Sequence, residues 1–145
     1  MSKLIFSENK TLKLINVIKR TVIKSNNNLN FDVIVEQMHS FILAHKSKPI
    51  GPLILYVEWN NNEIRLSFLS QCDSEIICDK PPYETMGEVV ISNAMYCRYT
   101  GTQNNLKYAY DKINIEAFEK EIKLSNCSYL IYVAEDVIDV FVPKE

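Results

Sequence analysis

The sequence predicts an α+β domain in which a strand–helix–strand–strand unit occurs twice. Hydrophobic periodicity switches between two and about 3.6 in that order, and then in that order again. The helix starts, Phe31 and Gln103, lie 72 positions apart, and Leu55-Tyr56-Val57 is echoed by Ile131-Tyr132-Val133 76 positions on. The chain has 145 residues, 47% of them apolar, which suffices for one core and not for two. A single βαββ unit leaves one sheet face bare. Two units sharing edges make one antiparallel sheet with both helices packed on one face. Residues about 11–70 form the first repeat, 71–86 a connector and 87–143 the second, all within one domain spanning 1–145.

Met1–Lys10 reads as a lead-in. Thr11–Lys24 is dense in β-branched residues and predicts a long strand. Ser25–Asn30 is a polar turn, with Asn30 placed as an N-cap. Phe31, Ile34, Val35, Met38, Phe41 and Ile42 then mark one apolar face of a helix over Phe31–Lys46, which Pro49 and Gly51 terminate. Leu53–Trp59 and Glu63–Ser70 are strands joined at Asn60–Asn62. After the connector, Gly87–Tyr99 predicts a strand and Gln103–Leu124 a helix. Cys127–Ala134 and Ile138–Val142 predict a closing hairpin.

Composition excludes several classes of function. Sixteen basic against eighteen acidic residues give a net charge of −2, without the basic excess that nucleic acid binding favours. No apolar stretch reaches the roughly 18–20 residues of a membrane helix, and no apolar segment follows Lys3 as in a leader. Three glycines provide no phosphate-cradling loop, and two histidines on one helix provide no triad. Cys72, Cys78, Cys97 and Cys127 lack zinc spacing. They read as reduced thiols of a cytoplasmic protein, with a Cys72–Cys78 disulfide left open. Neither a metal nor a cofactor is expected. His45 is expected to serve the carbonyls at the helix end.

Three segments carry a resemblance. Tyr129-Leu130-Ile131-Tyr132 followed by Ile138–Pro143, Gly51–Tyr56, and Tyr99-Thr100-Gly101 before the second helix are similar to motifs of the gyrase-inhibitor-like (GyrI-like) superfamily. The similarity runs from about Lys10 to Pro143 and is greatest to small stand-alone members from Gram-positive bacteria. It implies a duplicated βαββ fold, used in that family for effector binding in transcription activators, for stand-alone ligand binding or for hydrolysis of strained rings. Some stand-alone members are encoded beside toxins of the type VII secretion pathway. The family's closing motif carries a glutamate that neutralises bound cations. Leu130 stands at the matching position, which argues against cation sensing and against hydrolysis.

The resulting expectation is a non-enzymatic protein that binds a small apolar or aromatic ligand in a cleft. On strand alternation Leu130 shares a face with Tyr132, and the first repeat offers Tyr56 and Glu58, with Tyr96 and Arg98 on the long second-repeat strand. No catalytic residue is assigned. A second expectation is an accessory or chaperone-like interaction protein, or a homodimer, meeting its partner through the second helix. Tyr108, Ile115 and Ile122 recur there every seven residues, flanked by Phe118, away from the main apolar stripe. The lead-in residues Leu4, Ile5 and Phe6 are an alternative cover for that stripe. With about ten residues outside the repeats, no helix-turn-helix fits, so direct nucleic acid binding is not expected.

Overall fold

The computed structural model describes residues 3–23, 30–77 and 80–145. The polar turn predicted at Ser25–Asn30 therefore lies outside the described residues except for Asn30, as does Cys78. The elements are β1 (Lys3–Ile23), α1 (Phe31–Ala44), β2 (Pro49–Asn60), β3 (Glu63–Cys72), β4 (Tyr83–Thr100), α2 (Lys107–Glu119), β5 (Cys127–Ala134) and β6 (Val137–Val142). A single 3₁₀ turn at Gln103–Asn105 precedes α2. The order is βαββ, given twice.

All strand pairs are antiparallel, in the spatial order β1-β3-β2-β5-β6-β4, and β1 pairs back onto β4 to close the sheet into a barrel. Exchanging the two repeats reverses that order and leaves it otherwise unchanged. The expected single sheet with two helices on one face is present; its closure is an addition. Closure comes from β1, which begins at Lys3, so the predicted lead-in is strand. Lys3–Ser7 pair with Tyr96–Thr100, and Val17–Arg20 pair with both β3 and β4. The polar run Ser7–Lys10 conceals a strand that pairs, at Ser7 and Lys10, with Tyr96 and Ala94 of the distant β4.

Two cores result. Ile34, Met38 and Ile42 of α1 and Ala109, Ile113 and Ala117 of α2 pack on the outer sheet face with Phe68, Met95, Cys97, Tyr99, Leu130 and Val140. The inner face has its own cluster, including Leu12, Leu14, Val17, Ile54, Leu69, Tyr96, Tyr129, Ile131 and Phe141, with no helix residue in it. Leu14 and Val17 lie on the same face despite their odd spacing because the register shifts between them, at Asn16 with φ 46°. Ile91 and Ala94 flank a matching positive-φ asparagine, Asn93 at 56°. An extra residue in one strand restores the inward facing of the residues after it, and asparagine tolerates the left-handed backbone.

Asn30 caps α1 as expected, its Oδ1 accepting from the Val33 N–H at 3.3 Å. Both helices end in the same way. Lys46 N–H donates to Leu43 O and Ser47 N–H to Ile42 O; Glu121 N–H donates to Phe118 O and Ile122 N–H to Ala117 O. These are Schellman closures, yet the left-handed positions hold Lys46 (φ 62°) and Glu121 (φ 55°) where glycine is preferred. His45 serves the α1 terminus as expected, with Nδ1 2.8 Å from Phe41 O. Lys46→Gly and Glu121→Gly should each stabilise by up to about 1 kcal/mol, since relief of left-handed strain outweighs glycine's extra chain entropy. A thermal scan should show a rise at both sites. A fall at both would contradict this account of the helix ends.

Ser47, 2% exposed, ties the α1 exit to the segment after β3. Its hydroxyl donates to Asp73 Oδ1 at 3.0 Å and accepts from Ser74 N–H, and Lys48 N–H donates to the same Asp73 oxygen at 2.9 Å. The Lys48 and Ser47 hydrogen bonds hold the Asp73 carboxyl below its ordinary value of 3.8. A depressed folded-state pKa adds stability that is present above the unfolded value and is lost as pH falls through the folded value. Asp73→Asn should therefore lower the melting temperature at pH 7 and narrow the gap between melting at pH 7 and at pH 3. A gap equal to that of the wild type would show that Asp73 does not contribute to the acid response.

Candidate functional site

The inner sheet face carries one aromatic residue on each of four adjacent strands, in direct cross-strand register. Tyr56 of β2 lies opposite Tyr129 of β5, Tyr129 opposite Phe141 of β6, and Phe141 opposite Tyr96 of β4. Ring centroids are 4.8 Å apart for Tyr56–Tyr129 and 4.9 Å for Tyr96–Phe141, both pairs tilted. Opposed side chains at this spacing are the unit of sheet stabilisation, and tilted rings add about 0.5–1.5 kcal/mol per pair beyond buried area. Ser67 continues the row from Tyr56 onto β3, and Ser7 continues it from Tyr96 onto β1.

Each end of the row has a carboxylate. At one end Tyr56 donates its hydroxyl to Glu58 Oε2 at 3.1 Å, and Asn60 Nδ2 donates to Glu58 Oε1 at 2.9 Å. At the other, Asp139 is 8% exposed. It accepts from Tyr96 at 2.9 Å and from Arg98 through both oxygens, at 2.7 and 3.0 Å. Asp139 raises the Arg98 pKa further above its already high value, so that end is a fixed ion pair. Burial pushes the Tyr96 and Tyr129 hydroxyls to about 12, and burial followed by Cys127 and Glu58 pushes Tyr56 up as well. All three stay protonated near neutral pH, and Tyr56 and Tyr96 act as donors to the two carboxylates.

Each outer ring also carries a lysine from β1. Lys19 Nζ lies 5.6 Å from the Tyr56 centroid and Lys10 Nζ 4.7 Å from that of Tyr96. Tyr56 is half-buried, whereas Tyr96, Tyr129 and Phe141 are at most 8% exposed. The Tyr56 end is therefore the accessible one. Cys127 lies opposite Glu58 on β5, with its sulfur 3.4 Å from the Ser125 hydroxyl.

Of the predicted ligand residues, Tyr56, Glu58, Tyr96 and Arg98 come together on the inner face. Leu130 and Tyr132 do not. Leu130 is 5% exposed in the core beneath the helices, and Tyr132 packs against that same core. Leu130 and Tyr132 do share a face, as alternation predicts, but it is the outer one; the expectation matched it to the face of Tyr56 through the repeated tripeptide, whereas Tyr56 faces inward with Tyr129. A one-residue slip exchanges the faces of every side chain in a strand. The local signal was weak because Tyr129-Leu130-Ile131-Tyr132 is apolar on both faces, so alternation does not choose between them. Tyr129, Phe141, Lys10 and Lys19 were missed for a different reason: their juxtaposition depends on pairing between distant segments.

On α2, Tyr108, Ile115 and Phe118 are exposed, Phe118 at 84%. Ile122 is not part of that stripe. The helix stops at Glu119, short of the predicted Leu124, and the chain reverses at Glu121, which turns Ile122 inward onto the outer core. Of the lead-in residues Phe6 meets Lys112 and Lys120 of the α2 region, while Leu4 and Ile5 are exposed. Cys72, Cys97 and Cys127 are free thiols. Among the described residues no group of three or more His, Cys, Asp or Glu is placed to hold a metal ion, and no helix is long and apolar enough to cross a membrane.

Fold and inner face together define a helix-backed, six-stranded α+β barrel with an aromatic row across its interior. No protein-family model matches the chain, and no curated protein matches its sequence. Solved structures do share its architecture. The C-terminal domain of EcmrR superposes with a TM-score of 0.64 at 12% identity, covering 100% of this chain and 97% of that one. A hydrolase from Listeria innocua gives 0.62 at 9% identity, covering 99% and 91%. An integron cassette protein from the mobile metagenome of Vibrio cholerae gives 0.50 at 10% identity, covering 98% and 99%. The likeness is one of fold.

Proposed function

We propose that the protein is a non-enzymatic, cytoplasmic binding protein that holds a small aromatic ligand against the Tyr56 end of the inner row. The observation that carries this reading is the register itself. Four aromatic residues align across four strands with hydrogen-bonding groups at both ends, a surface that offers stacking with polar orientation. The motif resemblance and the fold shared with the EcmrR C-terminal domain support it. Hydrolysis ranks lower. Asp139 has both oxygens engaged by Arg98 and one by Tyr96 as well, which leaves it poorly placed to activate water. A thermal-shift screen of small aromatics, read against Tyr56→Ala, tests the reading. Stabilisation of the wild type that Tyr56→Ala abolishes supports it, and equal shifts in both proteins reject it.

A second reading, favoured by the exposure of Phe118, Ile115 and Tyr108, is a protein-interaction accessory that engages its partner through α2. Light scattering of wild type and of Ile115→Glu and Phe118→Glu separates it. An assembly that both variants dissolve supports it. A wild-type monomer whose pull-down partners both variants retain rules it out.

A further inference from the structure

Charge on the inner face points to the ligand's chemistry. Lys10 and Lys19 reach over the two outer rings from β1, and among the described residues neither has a carboxylate within salt-bridge distance. Glu84 is the cross-strand neighbour of Lys19 yet forms no ion pair with it. Of the carboxylates at the row itself, Asp139 is paired with Arg98 and accepts from Tyr96, while Glu58 is held by the neutral donors Tyr56 and Asn60 and keeps its charge. Arg65, exposed and directly opposite Glu58 on β3, adds a further positive charge at the accessible end.

A ligand cation approaching either outer ring would find its face taken by an ammonium group. It would have to displace that group against like-charge repulsion. A ligand anion meets the reverse. Each ammonium has donors to give, and a charge-assisted bond to a carboxylate is about twice as strong as a neutral one. The ring of such a ligand would lie beside Tyr56 at the open end of the row while its carboxylate met the Lys19 ammonium.

We propose that the site selects flat aromatic anions, with Lys19 at the open end of the row and Lys10 at the far end as the groups that set this charge preference. The inference rests on the aromatic-ligand reading above and names the ligand class for the same site.

Naphthoate, naphthamide and naphthylmethylammonium have similar size and differ in charge, so calorimetric titration of the three separates the possibilities. Wild-type protein should bind naphthoate about five- to tenfold more tightly than naphthamide, a difference corresponding to one charge-assisted contact. The cation should bind weakest. Lys19→Met should erase most of that preference and Lys10→Met part of it. Lys19→Arg should keep it, and Lys13→Met, whose lysine pairs with Glu88, should leave it unchanged. Circular dichroism confirms that each variant is folded.

Binding of naphthamide or the cation as tightly as naphthoate overturns the charge assignment and leaves the binding-protein reading standing. A carboxylate preference that survives both Lys→Met changes overturns the role of these lysines. Failure of all three probes to bind overturns both readings.

Discussion

Truncating Phe141 to alanine should cost about 3–5 kcal/mol, the usual loss for a large aromatic removed from a core. Phe141 is 5% exposed, and it alone connects Tyr129 to Tyr96 across the inner face. A folded domain has only about 5–15 kcal/mol to lose, so the denaturant midpoint should move far. The variant should also change the near-ultraviolet circular dichroism, because the tyrosines on either side lose their asymmetric neighbour. Tyr56, two strands away, should keep its contact with Tyr129 at 4.8 Å. A loss below about 1 kcal/mol would mean that the inner face is not a packed core, since surface substitutions fall within that range.

Removing the Arg98 guanidinium should have the second largest effect. Arg98→Met keeps the aliphatic stem and strands the Asp139 carboxylate, 8% exposed, with Tyr96 as its remaining side-chain donor among the described residues. Breaking a fully buried pair costs about 3–5 kcal/mol, but the Arg98 side chain is 41% exposed and water offsets part of that. A loss of about 1–3 kcal/mol is expected from urea unfolding. The double change Arg98→Met with Asp139→Leu should recover much of it, because no orphaned charge remains. If the double variant is no more stable than Arg98→Met, the penalty lies in packing and not in the stranded carboxylate.

Much of this architecture could be read from local patterns, and the remainder was hidden by one physical cause. Asn30, the apolar spacing of Ile34, Met38 and Ile42, and the Asn60–Asn62 turn each act within a few residues, so α1 and the β2–β3 hairpin follow from sequence alone. Cys127–Ala134 was placed to the residue. Barrel closure was not legible, because Lys3–Ser7 become strand only through partners on β4. The site divides along the same line. Tyr56 with Glu58, and Tyr96 with Arg98, sit two apart on single strands, so their shared face could be read once each strand was placed. The union of all four with Tyr129 and Phe141 depends on inter-strand register, which no short window contains. The end of α2 shows the limit of periodicity too. Ile122 keeps the seven-residue spacing from Ile115, but Glu121 reverses the chain before that spacing has meaning.

Barrel closure has a kinetic consequence. Lys3 meets Thr100, a separation of 97 residues, and the nearest β1–β4 pair, Arg20 with Tyr83, is still 63 apart. Bringing such distant segments together costs loop entropy before any contact offsets it, and chains dominated by such pairings fold slowly. During synthesis the first strand leaves the ribosome long before its partner exists. Until β4 has emerged, the first part of β1 has no partner among the described residues to pair with, and Tyr56, the one member of the interior row already made, stays open to water and to neighbouring chains.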